Sequence, residues 1–158
     1  MHRVQNIYDH PDFQYALRQN KSAEQDRIFC HHEMSHFLTV GRLGYIFALE
    51  RNYTLRKDMI YAAALLHDIG RWKQYADGTP HDRASAIIAE PILQDAGYSE
   101  SERHRILSAI LDHRKGAEKD ELAEVLYDAD KASRDCYLCD ASGECNWSKE
   151  KKNLQIIW

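Results

Sequence analysis

The chain has 158 residues, 44% hydrophobic and 29% charged, which fits one soluble domain with a workable core. A formal net charge of -4 gives no basis for a nucleic-acid partner. No apolar run is long enough to span a bilayer, and MHRVQNIYDHPDF lacks the apolar core of a signal peptide. The expected location is therefore cytoplasmic, where structural disulfides are disfavoured.

Only 7 Gly and 3 Pro punctuate the chain, period-3.6 patterning is common, and strict alternation is rare. These features predict an all-α, single-domain helical bundle. Pro11 opens a short helix, PDFQYALRQN. A second helix covers about His32 to Arg51, with a stripe of His36, Val40, Leu43 and Phe47. A third runs from about Leu55 to Ile69, with Ile60, Ala63, Ala64 and His67 on one face, and Gly70 ends it. Thr79 caps a fourth, with Pro80 at its first position, and Pro91 bends or breaks it. Ser99 caps a fifth with Glu102 placed for a capping box, and its inner face is Ile106, Ala109, Ile110 and His113. A sixth covers about Asp120 to Asp135, followed by an irregular, Cys-containing tail. The expected division is an N-terminal helical segment (1–29), a core (30–135), and a tail packed on that core (136–158).

The polar residues on these stripes carry the chemistry. His36, His67 and His113 each lie in line with apolar neighbours, and a buried imidazole needs a hydrogen-bond partner or a metal. One such histidine is more often a satisfied core residue. Three on separate helices, with a carboxylate beside one, suggest convergence on an interior point. Asp130 follows Ala123, Leu126 and Tyr127 on its helix and so faces inward. Asp128 has Glu121 and Glu124 behind it and faces solvent, and His104 is also expected at the surface. Imidazole with carboxylate suits Mn, Fe, Zn, Ni or Mg.

The stretch His32-Glu33-Met34-Ser35-His36 also fits H-E-x-x-H, a zinc-protease pattern with the glutamate as base. That reading leaves His67, Asp68 and Asp130 unexplained.

The set His36 in SHFLTVGRL, His67-Asp68 in AALLHDIGR and Asp130 in DADKASR resembles the HD-domain superfamily of metal-dependent phosphohydrolases over roughly residues 30–135. The resemblance implies one or two divalent ions. The first would take His36, His67, Asp68 and Asp130. A second would take Asp68, His81 and His113, with Asp68 bridging. One small bacterial group has H-D-x-x-H at the first helix, which places His32 and Glu33 near the site mouth, to orient water or substrate or only to cap the helix. The implied activity is hydrolysis of a phosphate ester or anhydride of a nucleotide or other small phosphorylated metabolite by metal-activated water, with Asp68 as a proton acceptor. Phosphate needs cations, and Arg71, Arg114, Lys115, Lys131 and Arg134 each follow closely on an expected ligand. Arg71 and Lys131 are the favoured pair.

Cys136, Cys139 and Cys145 form C-x2-C-x5-C, and two thiolates at that first spacing are half of a usual zinc or iron–sulfur site. Cys30 is the remaining cysteine and His31 a second option for a fourth ligand. Free thiols are the alternative. If Cys30 joins the tail, LQIIW docks as an apolar plug or presents a partner surface. Competing functions are a di-iron oxygenase of the HD type, the zinc protease, and a non-catalytic metal- or ligand-binding regulatory module. Substrate identity, metal identity and oligomeric state are not encoded legibly.

Overall fold

The structure is a computed structural model that describes residues 1–112 and 120–156. The described residues hold eight α-helices and no strand: α1 (His2–Asp9), α2 (Pro11–Ala23), α3 (Met34–Glu50), α4 (Lys57–Leu66), α5 (Arg71–Asp77), α6 (His81–Asp95), α7 (Glu100–Asp112) and α8 (Glu121–Ala132). The tail adds three short 3-10 turns, at Cys136–Leu138, Asp140–Gly143 and Lys149–Lys151. The all-α expectation holds.

Helix α4 is the central element. Met59, Ile60 and Ala62 to Leu66 are all buried, so it is apolar all round, as an enclosed helix must be. It packs against α3, α7 and α1, and α3 also packs on α8, α6 on α7, and α7 on α8. The core runs through Phe13, Phe37, Ile60, Leu66, Ile106, Ile110 and Leu122, all fully buried.

Several boundaries differ from the sequence expectation. Helix α1 was not anticipated. It is eight residues long without a side-chain cap, and it is held from outside: Val4 and Ile7 are buried, while Arg3 pairs with Asp58 and Glu102 at 2.7 and 2.8 Å. Helix α3 starts at Met34, two residues after the expected His32. The third predicted helix stops at Leu66, and a separate short helix, α5, follows Gly70. Pro80, not Thr79, is the capping residue of α6.

Helix α6 runs unbroken through Pro91. Proline removes the bond to the carbonyl four residues earlier. That residue, Ile87, is 73% exposed, so water can satisfy the carbonyl. The capping box at α7 forms as expected: Ser99 N–H donates to Glu102 at 2.8 Å and Glu102 N–H to Ser99 Oγ at 3.4 Å. His104 is exposed, and Asp128 is partly exposed and pairs with Arg51.

Candidate metal centre

His67 and Asp68 occupy the turn between α4 and α5. The α4 ladder ends with His67 N–H donating to Ala63 O at 2.9 Å, and Arg71 N–H then closes the turn on Asp68 O at 3.0 Å. Two outside groups pin this turn. Asn20 of α2 donates to Asp68 O at 2.9 Å and accepts from Trp72 N–H at 2.8 Å. Gly70 N–H donates to Ser85 Oγ at 2.9 Å. A Cβ at Gly70 would lie 2.4 Å from Ser85 N and 2.6 Å from the Ala84 carbonyl carbon. Gly70 has φ -92°, so it serves close approach to α6 and not a left-handed helix end.

The turn faces His36 on α3 and Asp130 on α8. One donor atom from each of His36, His67, Asp68 and Asp130 lies within 4.8 Å of the other three. His36 Nε2 is 3.5 Å and His67 Nε2 3.7 Å from Asp130 Oδ1, and His67 Nε2 is 3.4 Å from Asp68 Oδ2.

The outer ring nitrogens fix the orientation. His67 Nδ1–H donates to Ala64 O at 2.8 Å. Ser133 Oγ donates to Asp130 O at 2.8 Å, and its lone pair faces His36 Nδ1 at 3.3 Å. Both rings therefore turn Nε2 inward, the arrangement that outer partners give metal-binding histidines. His36 Nε2 is buried without a hydrogen-bond partner.

The electrostatics agree. Burial, with His67 alongside, lowers the His36 pKa to about 3, so this imidazole is neutral at neutral pH. Burial opposes protonation of His67, but Asp68 and Asp130 outweigh it and shift its pKa upward. Burial likewise opposes ionisation of Asp130, yet His67, Arg134 and Lys131 hold its carboxyl well below the usual range. Two buried carboxylates thus call for positive charge at one point, which a proton or a divalent ion supplies. Two imidazole nitrogens and two carboxylate oxygens fit Mn, Fe, Ni or Zn, and Mg less well because it prefers oxygen donors.

His81, at the start of α6, is buried, with Nε2 3.2 Å from Asp68 Oδ1. Asp68 therefore has the four-residue cluster on one side and His81 on the other. The His81 Nδ1 edge lies 2.8 Å from Arg71 Nη1 and 2.6 Å from Gln74 Oε1. His113, Arg114 and Lys115 lie outside the described residues.

His32 and Glu33 part company. His32 is buried just before α3, its Nδ1 2.5 Å from Glu24 Oε1 and its Nε2 3.5 Å from Asp68 Oδ2. Its backbone N–H and the Tyr75 hydroxyl both donate to Glu24, at 2.7 and 2.8 Å. Burial opposes ionisation of Glu24, but the His32 contacts outweigh it and hold the carboxyl at about 2. Glu33 is exposed and accepts from Ser35 Oγ at 3.0 Å, against a separate depression shared with Arg18 and Lys21. With Met34 as the first helical residue, HEMSH does not present two histidines and a base on one helix face. The protease geometry is not formed.

The centre opens into a cavity of about 370 Å³. His32, Asp68, His81 and Asp130 line one side, and Arg27, Arg71, Lys131 and Arg134 supply cations. Lys131 Nζ is 2.6 Å from Asp130 Oδ2 and Arg134 Nη2 is 3.4 Å from it. Phe29 and Trp147 complete the wall, and the Arg134 guanidinium lies 3.9 Å from the Trp147 ring centroid.

Asn20, Glu24, Arg27, Phe29 and Trp147 were not anticipated. Asn20 had a legible signal, because it continues the buried α2 stripe of Phe13 and Ala16. Glu24, four residues further on, continues the same stripe, and Arg27, Phe29 and Trp147 had no such signal.

The cysteines occupy the neighbouring surface. Cys30, Cys136 and Cys139 line one depression, and Cys30 and Cys145 both reach the cavity. All four are free thiols, and His31 is exposed. Among the described residues, their donor atoms do not meet the spacing that the His/Asp cluster meets. Of the LQIIW segment, Leu154 and Ile156 are exposed, and residues 157 and 158 lie outside the described residues. No helix among the described residues is long and apolar enough to cross a membrane.

The fold and centre together define an all-α protein built around a buried His/His-Asp/Asp cluster. A family model described as the HD domain matches residues 34–135, and the chain belongs to the HD-domain family. A Clostridium beijerinckii protein, itself named only "uncharacterized protein", is 41% identical over 158 residues, covering all of both chains. The crystal structure of a predicted HD superfamily hydrolase from an uncultured Thermotogales bacterium shares the fold with a TM-score of 0.63. It is 22% identical, over 96% of this chain and 87% of that one.

Proposed function

We propose that the protein is a metal-dependent phosphohydrolase, cleaving a phosphate ester or anhydride of a nucleotide or other small phosphorylated metabolite in the cytoplasm. The observation that carries this reading is that the two carboxylates of the four-residue cluster, Asp68 and Asp130, line one cavity together with four cationic side chains. A bound divalent ion supplies Lewis acidity and lowers the pKa of water. His36, His67, Asp68 and Asp130 would hold it. His81 beside Asp68 gives a second ion a starting pair of donors.

The chain's own groups do the rest. Arg71 and Arg134 present planar donor forks suited to phosphoryl oxygens, and Lys131 adds a point charge. Arg134 and Lys131, which contact Asp130, would be the cations available to phosphoryl oxygens at a metal-loaded centre. Asp68 would accept a proton from the attacking water. His32, held by Glu24 in the cavity wall beside Asp68, would orient water or substrate.

The test is a phosphate-release screen over nucleotides and small phosphate esters with Mn, Mg, Ni and Fe, comparing wild type with Asp68→Ala. Release by wild type and loss in the variant support the reading. Equal release in both sinks it.

A further inference from the structure

The cysteines remain unused by this chemistry. Cys30 stands 106 positions before Cys136, yet the fold brings them to one depression, with Cys139, and carries Cys145 to the adjoining cavity wall beside Cys30. All four cysteines therefore line two depressions that share Cys30. Burial, opposed by Arg134 and aided by the thiols of Cys136 and Cys139, raises the Cys30 thiol pKa, so these three thiols lie within electrostatic reach of one another. The Cys136–Leu138 turn closes with Cys139 N–H on Cys136 O at 3.4 Å, the tight return that a C-x2-C half-site uses.

A second observation is independent of sulfur. Residues 136–156 form no α-helix and bury one apolar side chain, Ala141. Asn153 fastens the segment through bonds to Lys131 O and Arg134 O, both 2.9 Å, and Trp147 through its contact with Arg134. So little apolar burial does not offset the entropy of ordering some twenty residues, at about 1–2 kcal/mol each for the backbone. Segments of this kind are held by a covalent or metal staple.

We propose that Cys30, Cys136, Cys139 and Cys145 form a structural tetrathiolate site for zinc, which fastens the C-terminal tail against the mouth of the metal-centre cavity. The thiols stand wider apart than a closed coordination sphere. The segments that carry them are outside the α-helices, so binding draws them in by loop movement, with release of the four thiol protons to solvent. Arg134 and Arg27 flank the site and offset its net negative charge. Through Cys145 and Trp147 the staple also fixes Arg134, so the tail becomes part of the cavity wall.

The experiment loads the full chain, carrying His36→Ala and Asp68→Ala to remove the His/Asp centre, with cobalt(II) as a zinc surrogate. The expected result is one equivalent bound, with thiolate-to-cobalt charge-transfer absorption and the intense d–d bands of a tetrahedral site, displaced by zinc. Cys139→Ser in the same background should abolish both signals. The protein purified with both His/Asp changes should still hold one zinc, and zinc should protect its thiols from alkylation. Absence of the charge-transfer band, together with four thiols equally reactive with and without zinc, overturns the proposal. That outcome leaves the phosphohydrolase reading untouched, because its centre shares none of these ligands.

Discussion

Glu24 and Asp68 bracket one imidazole: His32 has Nδ1 2.5 Å from Glu24 Oε1 and Nε2 3.5 Å from Asp68 Oδ2. This joins the C-terminal end of α2 to the centre of the HD turn. Glu24→Gln keeps the shape but loses the charge-assisted bonds to His32. We expect it to lower stability by about 1–3 kcal/mol in urea unfolding, with metal content unchanged because Glu24 touches no atom of the four-residue cluster. Loss of the metal in this variant would show that His32 orientation governs the centre itself.

Acid should weaken the fold in a window to which Glu24 and Glu102 contribute. Glu24 and Glu102 are both held at about 2 instead of 4.5, the first by His32 against the opposing effect of burial, the second by Arg3. A depressed folded-state pKa contributes stability that is present above the unfolded value and lost as pH falls through the folded one. Unfolding free energy should therefore decline between about pH 4.5 and 2. Urea titrations across that range should show a shallower decline for Glu24→Gln, and equal slopes would contradict the assignment.

Metal binding should separate the two ends of HEMSH. His36→Ala and Asp68→Ala should strip the His/Asp ion, whereas Glu33→Ala should retain it, since Glu33 is exposed and turned to another depression. Ser133→Ala removes the oxygen facing His36 Nδ1 and should weaken affinity about 10–100-fold. Calorimetric titration with manganese measures all four.

Gly70→Ala should cost about 3 kcal/mol, because its new Cβ meets backbone atoms of α6 that cannot turn away. Thermal melts read the loss. A variant as stable as wild type would mean that α6 slides without penalty, and Asp68 and His81 should then shift apart.

Arg134→Ala should lower kcat/KM for the phosphorylated substrate about 10–100-fold through a lost charged contact. Trp147→Ala should have a smaller effect, about 2–10-fold, because it acts by positioning the Arg134 guanidinium. Steady-state kinetics should place the Trp147 effect mainly in KM. A larger loss in kcat would indicate that the indole touches the reacting group.

The local pattern of the chain determined much of this protein. Helical periodicity marked α3, α4, α7 and α8, and the same test placed Asp130 inward and Asp128 outward, because side chains three and four residues apart share a helix face. It put His36 and His67 in buried stripes for the same reason, and Phe13, Ala16 and Asn20 share one face of α2 in the same way. What periodicity cannot carry is a contact between residues far apart in sequence. The 4.8 Å convergence of His36, His67, Asp68 and Asp130, the hold of Glu24 on His32, the need for glycine at position 70 against α6, and the approach of Trp147 to Arg134 all arise where separate elements meet. Those meetings are set by packing of whole helices around α4, so only the tertiary structure decided that His32 faces Asp68 while the adjacent Glu33 faces water.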